Sequence, residues 1–504
     1  MTADFGLQTG KKEDMHTESK DFPGARWATS VVCSALLLLV ALSTIAQAEL
    51  RPGLNDSVRA ARKVSSELSV HVVELASGEE IYSYNSDQPR IIASNTKLLT
   101  TAAAFDTVGP AFFFETNVLW RGEQSDGALR GDVAVLGGGD PNISGRHYGG
   151  DPLAVFRQWA QEFKRLGVHR IEGDMFLVTG LFEPPLVHPD WPRDQLHRWY
   201  EAPVAALSFS DNCVLVRVSP GTAVGEPARV ELIPDLGVLR VENTAGTVDS
   251  SRRHKVVVDR RNGSDLLSIS GSVYRHAAPV ESWVTVPDPV SYFGVALKAA
   301  FEEEGIELLG GLRPTMRLPS GQWRWVTGYR SDLMTTTEVI NKRSQNFFAE
   351  SLLKVLGARL CGSGSWLAGL RVVGEFLERV GIQPGEYRLA DGSGLSRDNQ
   401  FSARQLTTVL QYMFEHEKGR EFLLTLPYSG EEGLRWEDRL SDEPYRGNIF
   451  AKTGSLLGVS TLSGYAKGRS GKTYAFSILC NRTTGNWGAR KAQDRILRVL
   501  VDEG

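Results

Sequence analysis

The chain has 504 residues, of which 41% are hydrophobic and 23% are charged, with a formal net charge of −4 at pH 7. This composition is typical of a globular protein with two or three domains, and it excludes a fibrous protein. The weak negative charge and the lack of an arginine-rich run argue against nucleic acid as a partner.

An apolar segment near the N-terminus predicts export. Residues 28–48 are rich in Leu and Val and close on Ala46-Gln47-Ala48, which is typical of a signal peptide cleaved after Ala48. Residues 1–48 are therefore interpreted as a leader and signal peptide. The segment also approaches the roughly 20 residues that span a bilayer, so an uncleaved anchor with membrane association is the alternative. We expect an exported protein of the periplasm or cell envelope.

The next predicted elements lead to a serine. A helix over residues 55–68 and a hairpin over 69–85 precede Ser94, which opens the apolar helical run 98–105. Lys97 stands three residues after Ser94 and shares its face of the helix. A serine hydroxyl needs a base to become a nucleophile, and a lysine one turn away can be that base. The alternative is a capping serine followed by a solvated lysine.

The pattern of elements changes after residue 119. Residues 120–288 contain short strands separated by Gly, Pro and Asp, with one predicted helix over 153–166. Helices resume after this region. We therefore predict one catalytic domain in two parts, residues 49–119 and 289–504, separated by a mainly β insertion of one or two subdomains.

Three copies of the pattern Ser-x-Asn compete as a second motif, and the first is Ser83-Tyr84-Asn85. In Ser210-Asp211-Asn212, Asp and Asn most simply form a turn. Ser344-Gln345-Asn346 instead falls between two helical segments, where a loop can present two polar side chains to a cleft. We favour Ser344 and Asn346.

The pattern Ser-x-x-Lys also has a second copy, from Ser351 to Lys354. It lies inside the amphipathic stretch 347–356, where the serine hydroxyl would be in the middle of a helix. We interpret this copy as a structural helix face.

The sequence Lys452-Thr453-Gly454 occurs once, in the strand-like run 449–456. A glycine within a strand allows another backbone or a ligand to approach closely, and the lysine supplies a cation for a carboxylate. Two further strands are predicted over 459–466 and 473–480, which together suggest a β-meander. The alternative is an edge lysine in an ordinary hairpin.

The three motifs, in this order, resemble those of the D-alanyl-D-alanine carboxypeptidases and endopeptidases among the low-molecular-mass class C penicillin-binding proteins. The resemblance runs from about residue 55 to the C-terminus. It extends to the turn 137–141 and to the segment 391–397. It implies an α+β fold with a catalytic domain of the serine β-lactamase/transpeptidase type. In this domain an antiparallel sheet is flanked by helices, and the domain carries a large, mainly β insertion. Gln345 departs from the Asn or Asp that related enzymes often carry there.

The resemblance also implies the catalytic roles. Ser94 would attack the carbonyl of the penultimate D-Ala and form an acyl-enzyme that water then hydrolyses. Lys97 would be the base if its amine is neutral, a state favoured by burial and by the nearby charge of Lys452. The assignment of the base has been argued for related enzymes. Ser344 would relay a proton to the leaving amine.

The implied substrate-binding residues follow from the same motifs. Asn346 would hold the peptide amide, and the backbone N–H groups of Ser94 and Ser455 would form the oxyanion hole. The terminal carboxylate would be bound by the strand 452–454. The implied binding residues are Asn346, Lys452, Thr453, Gly454 and Ser455.

The implied partners are peptidoglycan stem peptides and β-lactam antibiotics, which mimic D-Ala-D-Ala. Cleavage of D-Ala-diaminopimelate cross-links is also implied.

We expect no cofactor and no metal, because none of the nine histidines forms an H-E-x-x-H pattern. The cysteines that remain after cleavage permit at most one disulfide. The alternative functions are a β-lactamase or serine esterase with the same type of site, or a non-catalytic wall-binding protein. The sequence does not specify the oligomeric state.

Overall fold

The computed structural model describes residues 50–504. The predicted signal peptide or anchor therefore lies outside the described residues. Between residues 50 and 504, no helix is both long enough and apolar enough to cross a membrane.

A five-stranded antiparallel sheet unites the two ends of the chain. Its strands, in order across the sheet, are β19 (Ile449–Leu456), β20 (Val459–Lys467), β21 (Thr473–Thr483), β1 (Ser65–Glu74) and β2 (Glu80–Tyr84). The predicted hairpin over 69–85 and the predicted C-terminal meander are thus confirmed. The predicted helix over 55–68 was wrong at its C-terminal end, because helix ends at residue 61 and β1 begins at Ser65.

Side-chain alternation along β21 explains why helices cover both faces of this sheet. Tyr474, Phe476 and Ile478 pack in a core that includes residues of the first and last helices, whereas Ala475 and Leu479 pack in the core below Ser94. Successive residues of a strand point to opposite faces. A strand with apolar side chains on both of its faces therefore requires a packed layer of helices on each side of the sheet.

Ten helices of the described chain surround the sheets. In chain order they are α1 (residues 50–61), α2 (Thr96–Thr107), α3 (Ala154–Arg165), α4 (Pro289–Glu303), α5 (Leu333–Lys342), α6 (Asn346–Cys361), α7 (Trp366–Arg379), α8 (Ala403–Glu415), α9 (Gly419–Leu424) and α10 (Asn486–Asp502). Helix α2 packs against α5, α6, α7 and α8, so the helix that follows Ser94 is the centre of the helical layer.

The middle of the chain forms further sheets. A seven-stranded sheet contains β4 (Phe113–Ser125), β5 (Ala128–Leu136), β6 (Arg170–Ile171), β7 (Met175–Val178), β15 (Glu307–Leu308), β16 (Leu312–Thr315) and β17 (Arg324–Asp332). A three-stranded sheet contains β8 (Cys213–Ser219), β9 (Arg229–Ile233) and β14 (Val280–Thr285). A four-stranded sheet contains β10 (Arg240–Asn243), β11 (Gly246–Val248), β12 (Lys255–Arg260) and β13 (Leu266–Tyr274). The short strands β3 (Arg90–Ile91) and β18 (Gln400–Phe401) pair with each other.

The seven-stranded sheet takes strands from both sides of residue 288. Its last strand ends at Asp332, beyond the predicted end of the insertion. The division of the chain into domains at residues 119 and 288 stays a prediction. The three cysteines of the described chain, Cys213, Cys361 and Cys480, are all free.

Candidate active site

Ser94 lies in a short 3-10 turn, Ala93–Asn95, immediately before α2. The turn is anchored to β20, because Asn95 Nδ2 donates to Ser463 Oγ at 2.6 Å and Thr461 Oγ1 donates to Asn95 Oδ1 at 2.9 Å. The side chain of Asn95 is buried, whereas Ser94 remains partly exposed. The predicted position of Ser94 at the start of a helix is thus confirmed.

Lys97 is fully buried one turn after Ser94. Its Nζ lies 3.2 Å from Ser94 Oγ, 2.6 Å from Asn346 Oδ1 and 2.7 Å from the carbonyl oxygen of Ser393. Asn346 Nδ2 donates to the carbonyl oxygen of Tyr200 at 2.8 Å, which fixes the orientation of the amide. The structure therefore brings the first two predicted motifs into direct contact.

These three contacts fit a neutral amine. The partners at Asn346 and Ser393 are carbonyl-type oxygens, which can only accept, so two N–H groups of Lys97 are committed to them. The third partner, the hydroxyl of Ser94, can itself donate. A neutral Lys97 would then direct its lone pair at the Ser94 proton, which is the arrangement that a general base needs.

The pKa of Lys97 is consistent with that role. Burial lowers it to about 7, and the carboxylates of Glu350 and Asp391 act in the opposite direction by raising it. The expectation that burial would favour the neutral amine is confirmed. The positive charges of Lys97 and Lys452 disfavour each other, and the pKa of Lys452 is lowered first by burial and then by Lys97 and Arg435.

A buried acidic cluster behind Lys97 was missed by the sequence reasoning. Glu350 Oε1 accepts from the backbone N–H of Ser393 at 2.7 Å, and Oε2 accepts from that of Gly392 at 3.0 Å. Asp391 accepts from the backbone N–H groups of Gly394 and Ser396, each at 2.7 Å. These bonds hold the loop so that the Ser393 carbonyl faces Lys97.

One sequence signal could have found this cluster. Glu350 follows Asn346 by four residues and so shares its face of α6, and a carboxylate on a buried face requires partners. Gly394 has a φ of +82°, and a Cβ there would overlap the carbonyl oxygen of Ala93. The glycine therefore lets the 391–396 loop pack against the turn that holds Ser94.

Ser344 occupies the predicted loop, between α5 and α6. Its φ is +58°, a conformation that is rare for residues other than glycine. Lys452 Nζ donates to Ser344 Oγ at 2.8 Å and to the carbonyl oxygen of Thr453 at 2.9 Å. The second and third motifs are therefore also in contact.

Strand alternation explains why Lys452 and Gly454 face the site. In β19, Ile449 and Ala451 pack in the core beneath α1 and α10, and Phe450 packs in the core around α2. Residues 452 and 454 follow Phe450 at intervals of two and therefore share its face. Ser455 is exposed, and its Oγ accepts from Asn486 Nδ2 at 2.9 Å.

Gly454 allows the strand to pass close to the serine turn. A Cβ at this position would overlap Thr461 Oγ1 and would lie 2.8 Å from the carbonyl oxygen of Ile92 and 3.0 Å from the backbone nitrogen of Ser94. Two of these three neighbours are backbone atoms, which cannot move aside as a side chain can.

We expect the substitution Gly454→Ala to slow acylation of Ser94 by about 100-fold, because displacing the serine turn by about 1 Å misaligns the nucleophile. The rate of adduct formation with benzylpenicillin, followed by intact-protein mass, measures this effect. Gly246→Ala in β11 is the matched control, since its nearest neighbour would be 4.0 Å away. Equal acylation rates for the two variants would contradict the prediction.

The competing copies of the motifs form no hydrogen bond with Ser94 or Lys97 among the described residues. Ser351 and Lys354 are buried within α6, where Lys354 Nζ donates to the carbonyl oxygen of Glu183 at 2.9 Å. The Ser210-Asp211-Asn212 copy forms a 3-10 turn before β8. The predictions of a structural helix face and of a turn are therefore confirmed.

The chain is similar to a group of known enzymes over almost all of its described length. The model of the D-Ala-D-Ala carboxypeptidase 3 (S13) family matches residues 54–502. The D-alanyl-D-alanine carboxypeptidase of Actinomadura sp. (strain R39) is 31% identical over 487 residues, which cover 92% of this chain and 88% of that protein. DacB of Haemophilus influenzae is 27% identical over 410 residues, covering 80% and 82%.

The fold is similar as well. The crystal structure of penicillin-binding protein 4 (dacB) from Haemophilus influenzae has a TM-score of 0.77 to this chain at 25% identity, covering 88% of this chain and 98% of that one. The α+β fold of the serine β-lactamase/transpeptidase type is thereby confirmed.

Proposed function

Since this chain belongs to the D-Ala-D-Ala carboxypeptidase 3 (S13) family, it is a serine-type D-Ala-D-Ala carboxypeptidase, and we propose that Ser94 is the residue that becomes acylated. The observation that carries this proposal is the contact between Ser94 Oγ and Lys97 Nζ at 3.2 Å. The buried amine has a pKa of about 7 and two other hydrogen bonds that orient it.

In the proposed acylation, Ser94 Oγ attacks the carbonyl carbon of the penultimate D-Ala while its proton passes to Lys97 Nζ. The carbonyl oxygen becomes an oxyanion, which the backbone N–H groups of Ser94 and Ser455 stabilise. Collapse of this intermediate breaks the C–N bond, and the proton that Lys97 took from Ser94 passes by way of Ser344 to the leaving amine. Water then attacks the ester carbonyl while its proton passes to the neutral Lys97, and Lys97 delivers that proton to Ser94 Oγ as the ester C–O bond breaks.

Lys452 and Thr453 form the proposed site for the free carboxylate of the terminal D-Ala. Lys452 is buried, and its amine is already fixed by Ser344 Oγ. An incoming carboxylate favours the charged form of a buried lysine, because an opposite charge offsets the desolvation that lowers its pKa. Binding of a free C-terminus therefore supplies the counter-ion that Lys452 lacks among residues 50–504. Asn346 would hold the peptide amide.

Two further properties belong to the same proposal. The site would hydrolyse D-Ala-diaminopimelate cross-links, since the bond has the same acyl donor, and β-lactams would acylate Ser94. The substrate lies in the cell wall, so the protein would be exported to the periplasm or cell envelope, with residues 1–48 as the signal peptide or anchor.

The proposal is tested by two assays on the purified protein. We expect release of D-Ala from a pentapeptide that ends in D-Ala-D-Ala, together with a stable adduct of one benzylpenicillin per chain. A chromogenic cephalosporin distinguishes the alternative, because a β-lactamase of the same site type would consume it rapidly. Rapid consumption of the cephalosporin without a stable adduct or D-Ala release would favour the β-lactamase over the proposed acyl-enzyme mechanism.

A further inference from the structure

A cavity of about 630 Å³ lies beside the Ser344 loop. Arg343 and Gln345, the residues on either side of Ser344, line one wall, and the other wall includes Trp199, Asp211 and Trp283. The cavity lies next to the proposed active site, because Arg343 and Gln345 flank Ser344, and Trp199 precedes Tyr200, whose carbonyl oxygen accepts from Asn346. Neither Ser94 nor Lys452 lines the cavity.

The wall near Asp211 is held in an unusual conformation. Ser210, Asp211 and Asn212 have φ values of +49°, +55° and +53°, and such conformations persist only where the surroundings enforce them. The turn directs Asp211 Oδ2 to Gln345 Nε2 at 2.8 Å and to Arg146 Nη2 at 2.6 Å. The Ser344 loop is thereby tied to the middle part of the chain across this wall.

The charged residues that line the cavity favour a ligand with a carboxylate. Arg146 is paired with Asp211, and Arg217 is paired with Glu231 and Glu281. Arg343 has no carboxylate partner within residues 50–504; its Nη1 donates to the carbonyl oxygen of Gly433 at 3.2 Å. One guanidinium at the cavity is therefore available for an anion.

The residues that line the cavity also include hydrogen-bond acceptors without a partner and an exposed aromatic surface. Asp211 Oδ1 and Gln345 Oε1 are buried without a hydrogen-bond partner among the described residues, and both residues line the cavity. The side chain of Trp283 is 47% exposed and offers a flat apolar surface. The combination of a cation, carboxylate and amide oxygens, and an aromatic surface matches a peptide with N–H groups and free carboxylates. Neutral N-acetylated sugars would leave Arg343 without a carboxylate partner.

We propose that this cavity binds the second stem peptide of a cross-linked substrate, the strand that departs as the amine. This inference rests on the proposed function, in which Ser344 hands a proton to that amine. Because the cavity begins at the two neighbours of Ser344, it lies on the leaving-group side of the scissile bond. Its occupant would contribute to binding of a cross-linked dimer and would be absent when the leaving group is free D-Ala.

The test compares kcat/KM for two substrates: a cross-linked peptide dimer without sugars, and the monomeric pentapeptide. We expect Trp283→Ala and Arg343→Ala each to lower the dimer-to-monomer ratio by about tenfold, the effect of losing one charge-assisted or aromatic contact. Trp325→Ala is the matched control, since Trp325 is 65% exposed and lies outside the cavity. Its ratio should equal that of the wild-type protein.

Two results would overturn the inference while leaving the proposed function intact. They are an unchanged ratio in both variants, and a wild-type protein that cleaves the monomer but not the dimer. Failure of the proposed function is distinguishable, because the wild-type protein would then neither release D-Ala from the monomer nor form a penicillin adduct.

Discussion

Ser94→Ala is expected to abolish both penicillin adduct formation and D-Ala release, with a fall in kcat of at least about 10³-fold. A chain without the nucleophile retains only binding and oxyanion stabilisation, so the loss should resemble that of other serine hydrolases without their nucleophile. Intact-protein mass after incubation with benzylpenicillin detects the adduct, and a coupled assay detects D-Ala.

The matched control is Ser351→Ala, in the second Ser-x-x-Lys copy. Ser351 is buried in α6, and its Oγ has no hydrogen-bond partner among residues 50–504. Removal of that hydroxyl should leave both the adduct and D-Ala release as in the wild-type protein. An adduct on the Ser94→Ala protein, or its loss in the Ser351→Ala protein, would move the nucleophile away from Ser94.

Lys97→Met is expected to slow acylation by about 10²- to 10⁴-fold, the usual contribution of a positioned general base. Methionine has a similar length but no amine, so the variant removes the base while filling much of the same volume.

In the wild-type protein, the acylation rate should rise about tenfold per pH unit below pH 7 and level off above it. The sign follows because only the neutral amine accepts a proton, and burial lowers the pKa of Lys97 to about 7.

Glu350 modifies this pH profile. Burial raises the pKa of its carboxyl, with the charge of Asp391 adding to that effect, and ionised Glu350 raises the pKa of Lys97. The midpoint of the pH profile therefore reflects the coupled titration of Lys97 and Glu350, and not that of either residue alone.

Lys354→Met is the control, because Lys354 is the lysine of the second Ser-x-x-Lys copy and its pKa is lowered to about 8, mainly by burial. The Lys354→Met protein should keep the wild-type profile. Acylation at the wild-type rate by the Lys97→Met protein would refute the base assignment.

Short-range patterns predicted much of the fold around the site. The hairpin, the C-terminal meander and the loop that carries Ser344 each follow from residue types within about ten positions, where turn residues and side-chain periodicity act. The boundary error after α1 has the same origin, since residues 62–64 form a turn and residues 65–68 pair with β21 as the start of β1, although their local pattern favours a helix.

Chemistry that depends on burial was harder to predict. Gln345 departs from the residues that related enzymes often carry, and its side chain contacts Asp211, 134 positions away in the chain. Tyr200 and Trp191, which come from the predicted insertion, contact Asn346 and Asp391 respectively. No local pattern encodes a contact between residues so far apart in sequence.

The sequence by itself determined which reactive groups the chain has and in what order: a serine with a lysine one turn later, a polar loop, and a lysine on a strand ahead of a glycine. Only the tertiary structure decided that Lys97 is fully buried beside Ser94, that Glu350 and Asp391 support it from behind, and that the Ser344 loop borders a cavity. The reason is physical: residue identity fixes what a side chain can donate or accept, whereas its protonation and partners depend on desolvation and on contacts that form when distant segments pack.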